Sequence, residues 1–213
     1  MKFKQGASVY TADGQEIGRI DRVVIDLKTR QVTNVVIRKG LLFPDDRVAS
    51  IHLVATATED YINLREDIGN LHDLPKFEET HYIRMPDGKG GPDLLSANHS
   101  VGLLYGYPPA GPMAGAEGAP TYTRRVEQNV PEGTVAVREG ARVMAEDGKL
   151  VGWVEEILAD PWTKQATDIL ISQGLLTREH KLIPILWVRK FDENEICLAV
   201  PAKILDVIKS YQN

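Results

Sequence analysis

Residues 11–20 read TADGQEIGRI and residues 145–154 read AEDGKLVGWV. Each stretch carries an Asp-Gly pair, two mixed residues, a β-branched residue and a second glycine. Short extended runs precede both pairs, Ser8-Val9-Tyr10 and Arg142-Val143-Met144, and apolar residues such as Ile17, Ile20, Val23 and Val24 follow. An Asp-Gly pair between such runs suits a two-residue hairpin loop of type I′, which needs positive φ at both positions. The spacing therefore predicts one hairpin at Asp13-Gly14 and another at Asp147-Gly148. Gly18 and Gly152 fall inside the returning strand, at the same distance from each turn. A glycine there marks a bulge or a tight bend, and small barrels need such bends to close. A phosphate-cradling loop would need a helix after its glycines; here a strand follows.

The two stretches belong to a longer register. Gly6 placed on Gly140 sets an offset of 134 residues, and the alignment then runs without a gap to Leu71. Identical pairs include Asp13/Asp147, Gly14/Gly148, Gly18/Gly152, Asp26/Asp160, Ile37/Ile171 and Leu64/Leu198. The unit is too long for a solenoid repeat, so the pattern reads as an internal duplication of a small domain with its own core. Further strands are expected near 32–38, 47–54 and 61–64, and at the matching positions 166–172, 181–188 and 195–198. Strands this short, with a turn every ten or so residues, indicate an all-β barrel or sandwich. A short helix is expected to close each copy. Pro201 opens one, with Ile204, Leu205, Ile208 and Tyr211 at helical spacing. Leu71, Leu74 and Phe77 repeat the pattern in the first copy, where Pro75 cuts it short.

Between the copies the composition changes. Residues 106–120 read GYPPAGPMAGAEGAP, which offers too little apolar side chain to offset the entropy of ordering. The organisation expected is a first small barrel at 1–78, a Gly/Pro-rich and largely irregular flexible linker at 79–134, and a second barrel at 135–213. Tyr105 and Tyr107 flank the prolines and are candidates for partner docking, since aromatic grooves bind Pro-rich segments.

Composition narrows the function classes. The 213-residue chain has a formal net charge of -5, and a dedicated nucleic-acid binder usually shows a basic face. Arg38-Lys39 and Arg124-Arg125 are local basic pairs, so a weak contact with nucleic acid is left open. The single cysteine, Cys197, allows no intrachain disulfide, which fits a reducing, cytoplasmic setting. The first ten residues hold no apolar run, so no secretory leader is expected. Residues 94–116 lack charge, but their prolines and glycines speak against a membrane span.

No catalytic constellation is expected. His52, His72, His81, His99 and His180 are scattered, without metal-ligand spacing. Ser100 sits in no nucleophile elbow, and Gly88-Lys89-Gly90-Gly91 lacks the spacing of a phosphate loop. Asp13, Asp26, Asp147 and Asp160 recur in both copies, and turn chemistry accounts for them. No metal or cofactor site is expected. Of the three tryptophans, Trp187 lies in an apolar run and reads as packing. Trp162 follows Pro161 in a polar turn and is a candidate interface anchor.

The order of elements resembles the PRC-barrel family: an Asp-Gly hairpin, IGRI or VGWV, an Asp after the second strand, a VVIRKG or ILISQG strand, and the IPILWV strand of the second copy. The family includes the cytoplasmic barrel of the photosynthetic reaction-centre H subunit and the C-terminal domain of a ribosome maturation factor. The resemblance covers both copies and is closer in the second. It implies a pair of docking barrels with no shared chemistry, since fold alone does not set function. The expectation is a non-catalytic cytoplasmic adaptor with a protein partner, with homo-oligomer formation left open. An RNA- or ribosome-associated factor is the alternative, and an enzyme of unknown chemistry is a third class.

Overall fold

A computed structural model describes residues 1–40, 44–65, 71–84, 122–174 and 179–211. The chain is mainly β. Seven strands come first: β1 (Lys2–Lys4), β2 (Ser8–Tyr10), β3 (Glu16–Asp26), β4 (Val32–Lys39), β5 (Asp45–Ser50), β6 (Val54–Ala57) and β7 (Tyr61–Leu64). Then follow β8 (Glu78–Arg84) and β9 (Tyr122–Gln128). The last seven are β10 (Thr134–Arg138), β11 (Arg142–Met144), β12 (Leu150–Ala159), β13 (Ala166–Gln173), β14 (Glu179–Pro184), β15 (Val188–Phe191) and β16 (Glu195–Leu198), before helix α1 (Ala202–Asp206).

Two compact units result: Met1–Phe77 together with Val130–Asn213, and Glu78–Asn129. The smaller unit holds an antiparallel ribbon in which β8 pairs with β9, from Glu78 opposite Gln128 to Arg84 opposite Tyr122. The segment 79–134 was expected to be largely irregular, and its described ends are strand instead. Thr80, Tyr82, Ile83, Tyr122, Thr123 and Val126 supply the β-branched and aromatic residues that favour a ladder.

In the larger unit, two seven-stranded sheets carry the same order at an offset of 134. One runs β5-β4-β3-β2-β7-β6 and the other β14-β13-β12-β11-β16-β15. The seventh strand of each comes from the other half. β1 pairs with β12, Phe3 opposite Ile157, and β10 pairs with β3, Val137 opposite Val23. The exchange is reciprocal and keeps the offset residue for residue. It follows that the halves are not independent beads. One buried cluster contains Phe3, Ile20, Val23 and Ile37 along with Val137, Ile157, Ile171 and Ile196. Burying such side chains is worth about 1.5–3 kcal/mol each, so the exchanged strands are held by core as well as by ladder.

Local details depart from the sequence reading. The Asp-Gly turns are three-residue loops, not two-residue type I′ loops. Gly14 N–H donates to Thr11 O at 3.0 Å and Thr11 N–H to Gln15 O at 2.9 Å, with the same pattern at Gly148, Ala145 and Lys149. Positive φ is confined to Gly14 (84°) and Gly148 (76°), as in a type I turn closed by a left-handed residue. The strand expected at 47–54 breaks into two strands around a 3-10 turn at Ile51–Leu53. Its mate breaks in the same way at Ile185–Trp187. The helix expected in the first copy is a 3-10 turn, Leu71–Asp73, stopped ahead of Pro75. Among the described residues, α1 is the one α-helix. None of the described helices is long and apolar enough to cross a membrane.

Candidate functional site at the junction of the two halves

Two consecutive charges interrupt each long strand where the halves cross: Asp21-Arg22 on β3 and Glu155-Glu156 on β12. The ladder slips at both places, between Ile20 and Arg22 and between Val154 and Glu156. Such a bulge inserts one unpaired residue and re-aims the side chains beside it. Asp21 and Arg22 are both buried. Arg38 Nη1 lies 2.6 Å from Asp21 Oδ1, and Arg22 Nε lies 3.2 Å from Asp21 Oδ2. Gln5 Nε2 also donates to Asp21, at 3.1 Å. Arg22 continues to Glu193 Oε2 at 3.0 Å and stacks its guanidinium 4.7 Å over the Phe77 ring. Arg38 closes the network with a two-pronged contact to Asp46, at 2.7 and 2.6 Å.

The second half differs at the same register. Glu155 pairs with His180 at 2.9 Å. Glu156 is buried, and its Oε1 has no hydrogen-bond partner. Burial pushes the Glu156 carboxyl above the ordinary glutamate range; Lys2 and Lys4 pull the other way, and Glu59 adds to the rise. A small cavity of about 10 Å³ lies between the crossing strands, lined by Asp21, Arg22, Arg138, Glu155 and Glu156 among others. Arg138 Nε, also on this cavity, is the second buried polar atom there without a partner.

The hairpin tips meet nearby. Gln31 bridges Gln165, Val32 N–H donates to Lys164 O at 2.8 Å, and Ala166 N–H donates to Arg30 O at 2.9 Å. Arg30 and Lys164 share a left-handed φ of 61°, uncommon for residues with a side chain. Asp26 Oδ1 accepts from Lys28 N–H and Thr29 N–H, and Asp160 Oδ1 accepts from Trp162 N–H and Thr163 N–H. The backbone donor of Thr29 comes first in holding the Asp26 carboxyl below its ordinary range, and that of Thr163 does the same for Asp160. Trp162 thus sits on a pinned turn with its side chain 90% exposed. Leu186, on the 3-10 turn after β14, is 86% exposed.

The remaining sequence candidates separate. Asp13 and Gly14, and their mates Asp147 and Gly148, lie at the distal hairpin loops. A Cβ on Gly18 would come within 2.7 Å of Arg38 O, and one on Gly152 within 2.5 Å of Ser172 O. These glycines are dictated by close approach of the neighbouring strand. Open clefts flank both, about 740 Å³ beside Gly18 and about 440 Å³ beside Gly152, the second partly roofed by Ala202, Lys203 and Asp206 of α1. Tyr105, Tyr107, His99, Ser100 and Gly88–Gly91 lie outside the described residues. Among the described residues, no group of three or more His, Cys, Asp or Glu could hold a metal ion. His52 is exposed, and His72 pairs with Asp45 at 2.9 Å. Cys197 is half-buried, with Sγ 3.8 Å from Glu195 Oε1. The charged crossing escaped the sequence reading. Its signal was there: adjacent charges in IDRVV and VEEIL, at one register, break the period of a strand.

The model of the PRC-barrel domain family matches residues 5–71. That stretch of the first half is similar to a PRC-barrel domain. The match falls on the copy whose sequence pattern had read as the weaker of the two. A search of curated proteins finds no match.

Proposed function

We propose that the protein is a non-catalytic cytoplasmic adaptor, built by internal duplication from two PRC-type barrels locked together by strand exchange. The observation that carries this reading is Trp162: a tryptophan 90% exposed on a turn fixed by Asp160. Exposed aromatic side chains on rigid supports act as interface anchors, because little entropy is lost when they dock. At the crossing Asp21, Arg22, Arg38, Asp46 and Glu193 are engaged with one another, which suits a scaffold. The test uses the full chain as bait in an extract of its native host, wild type beside Trp162→Ala. The expected outcome is a protein recovered by the wild type, resistant to nuclease and lost from the variant, with both baits equally stable. Recovery that nuclease abolishes would replace this reading with an RNA-associated one.

A further inference from the structure

The exchanged strands differ in what they rest on. β1 places Lys4 opposite Glu156, and β10 places Arg138 opposite Arg22. Arg22 keeps its charge at any ordinary pH and is satisfied by Asp21 and Glu193. Glu156 is 2% exposed, with one carboxyl oxygen unpartnered beside the small cavity between the strands. A buried ionised carboxylate without full pairing is costly, and the usual relief is to bind a proton.

We propose that Glu156 is a proton-operated latch on the exchanged strand: protonated, it lets β1 lie closed on β12, and ionised, it loosens β1. The groups facing it set the balance. From β1 come Lys2 and Lys4, and the ammonium of Lys2 is already engaged by Glu59 at 2.5 Å. The chain's amino group adds a further pull toward ionisation. From β10 comes Arg138, from the turn after it Glu139, and from β3 come Asp21 and Arg22, whose charges are committed to their own network. On β12 itself Glu155 is held by His180. On the β13 side the ladder partner is Leu170, which offers no charge. Burial outweighs the lysines. The folded chain consequently holds this proton more tightly than the unfolded chain does. The stability contributed by neutral Glu156 is complete below the ordinary glutamate range and is lost as pH rises through the raised value. The loss falls first on β1, a three-residue strand that can open without global unfolding.

Hydrogen exchange on the full chain tests the latch, with protection corrected for the intrinsic pH dependence of exchange. Between about pH 4.5 and pH 8, protection of the Phe3, Ile157 and Ala159 amides, which lie on the bonded pairs of the β1–β12 ladder, is expected to fall. The fall is roughly tenfold for each pH unit by which the proton is held above its ordinary range. The β10 ladder, Val135 and Val137 against Ile25 and Val23, serves as the internal control and keeps its protection. Glu156→Gln, a neutral isostere, is expected to hold β1 at its low-pH protection throughout. Parallel changes in β1 and β10, or a pH step that survives in Glu156→Gln, would overturn the proposal. A carbon-detected titration of the wild-type Glu156 carboxyl needs no variant. A midpoint at or below the ordinary glutamate value would overturn it as well.

Discussion

The first half, residues 1–77, and the second half, 130–213, share a backbone plan at one offset and differ in the chemistry written on it. Asp21 and Arg22 stand where the second half has Glu155 and Glu156. The first pair joins a five-member network with Arg38, Asp46 and Glu193. The second leaves a buried carboxyl oxygen unpartnered. Lys28 stands where Trp162 protrudes, and His52 where Leu186 does. The backbone tolerates these exchanges because turns, bulges and close strand approaches carry the fold. The side chains at crossing and tips are left free to diverge. The first half thus holds most of the charged lock, completed by Glu193 of the second, and the second half holds the titratable point and the two most exposed apolar side chains, Trp162 and Leu186.

The largest expected effect lies in that lock. Asp21→Asn removes the charge of a buried carboxylate shared by two guanidiniums and is expected to cost about 3 kcal/mol in urea unfolding of the full chain. Glu155→Gln, the equivalent change, disrupts a pairing with the partly exposed His180 and is expected to cost under about 1 kcal/mol. Equal losses would erase the distinction between the halves.

The bends should answer more evenly. Gly152→Ala drives a Cβ to 2.5 Å from a backbone oxygen that cannot swing away, at a backbone φ of 152°. Gly18→Ala meets a backbone oxygen at 2.7 Å and a movable Ile37 methyl at 2.8 Å. The expected losses are about 3 kcal/mol at Gly152 and about 2 kcal/mol at Gly18, read from the same unfolding curves. A tolerated alanine at either site would show that the strands can separate there.

Much of this plan was legible in the sequence. The Asp-Gly turns, the repeated glycines and the strand periods are local signals, and each fixes a local structure. The strand exchange was not legible, for a physical reason. Lys2–Lys4 and Thr134–Arg138 are short, and the two acceptor strands β3 and β12 are near copies. Each short strand therefore finds an equivalent edge in its own half and in the other. The choice rests on how the chain turns at Gln5-Gly6 and Glu139-Gly140, where Gly6 and Gly140 take φ of 81° and 74°. The hairpins were misjudged by one residue. Asp13 and Asp147 keep negative φ because the closing bonds fall on Thr11 with Gln15 and on Ala145 with Lys149, which makes each loop three residues long with the glycine last; the dipeptide alone does not encode that length. The exposed side chain of Trp162 was legible from its polar turn; the buried Glu156 could not be read from one strand alone.

A smaller effect separates the ends of the two halves. Lys181 is buried and donates from Nζ to Leu205 O at 2.7 Å, closing the C-terminal end of α1. Arg47, its equivalent, spreads over Asp45, His72 O and Leu74 O. Lys181→Met keeps the stem and removes the charged donor from Leu205 O, which Ile208 N–H still bonds at 3.2 Å, for an expected loss of about 1 kcal/mol. Loss of the α1 amide protection, ahead of the sheet, would mark the effect as local. If α1 stayed protected, the ammonium would not be what holds that end.

The smallest effect on stability is expected where the functional reading is most exposed. Trp162→Lys gives the second half the residue that the first half has at that position, Lys28. The main-chain N–H of residue 162 bonds to Asp160 Oδ1 at 2.9 Å whatever its side chain. Lys28 N–H makes the same bond to Asp26 at 2.8 Å, so the turn already accepts lysine. The indole rests on no core residue and is 90% exposed. Unfolding free energy should therefore stay within about 0.5 kcal/mol of the parent. Trp187 is the contrast, packed against the main core and expected to cost about 2 kcal/mol or more when replaced by lysine. A large loss at position 162 would mean that the indole is a packing residue, and the docking reading would then lose its anchor. An unchanged curve lets any loss of partner retention be read as lost docking and not as lost folding.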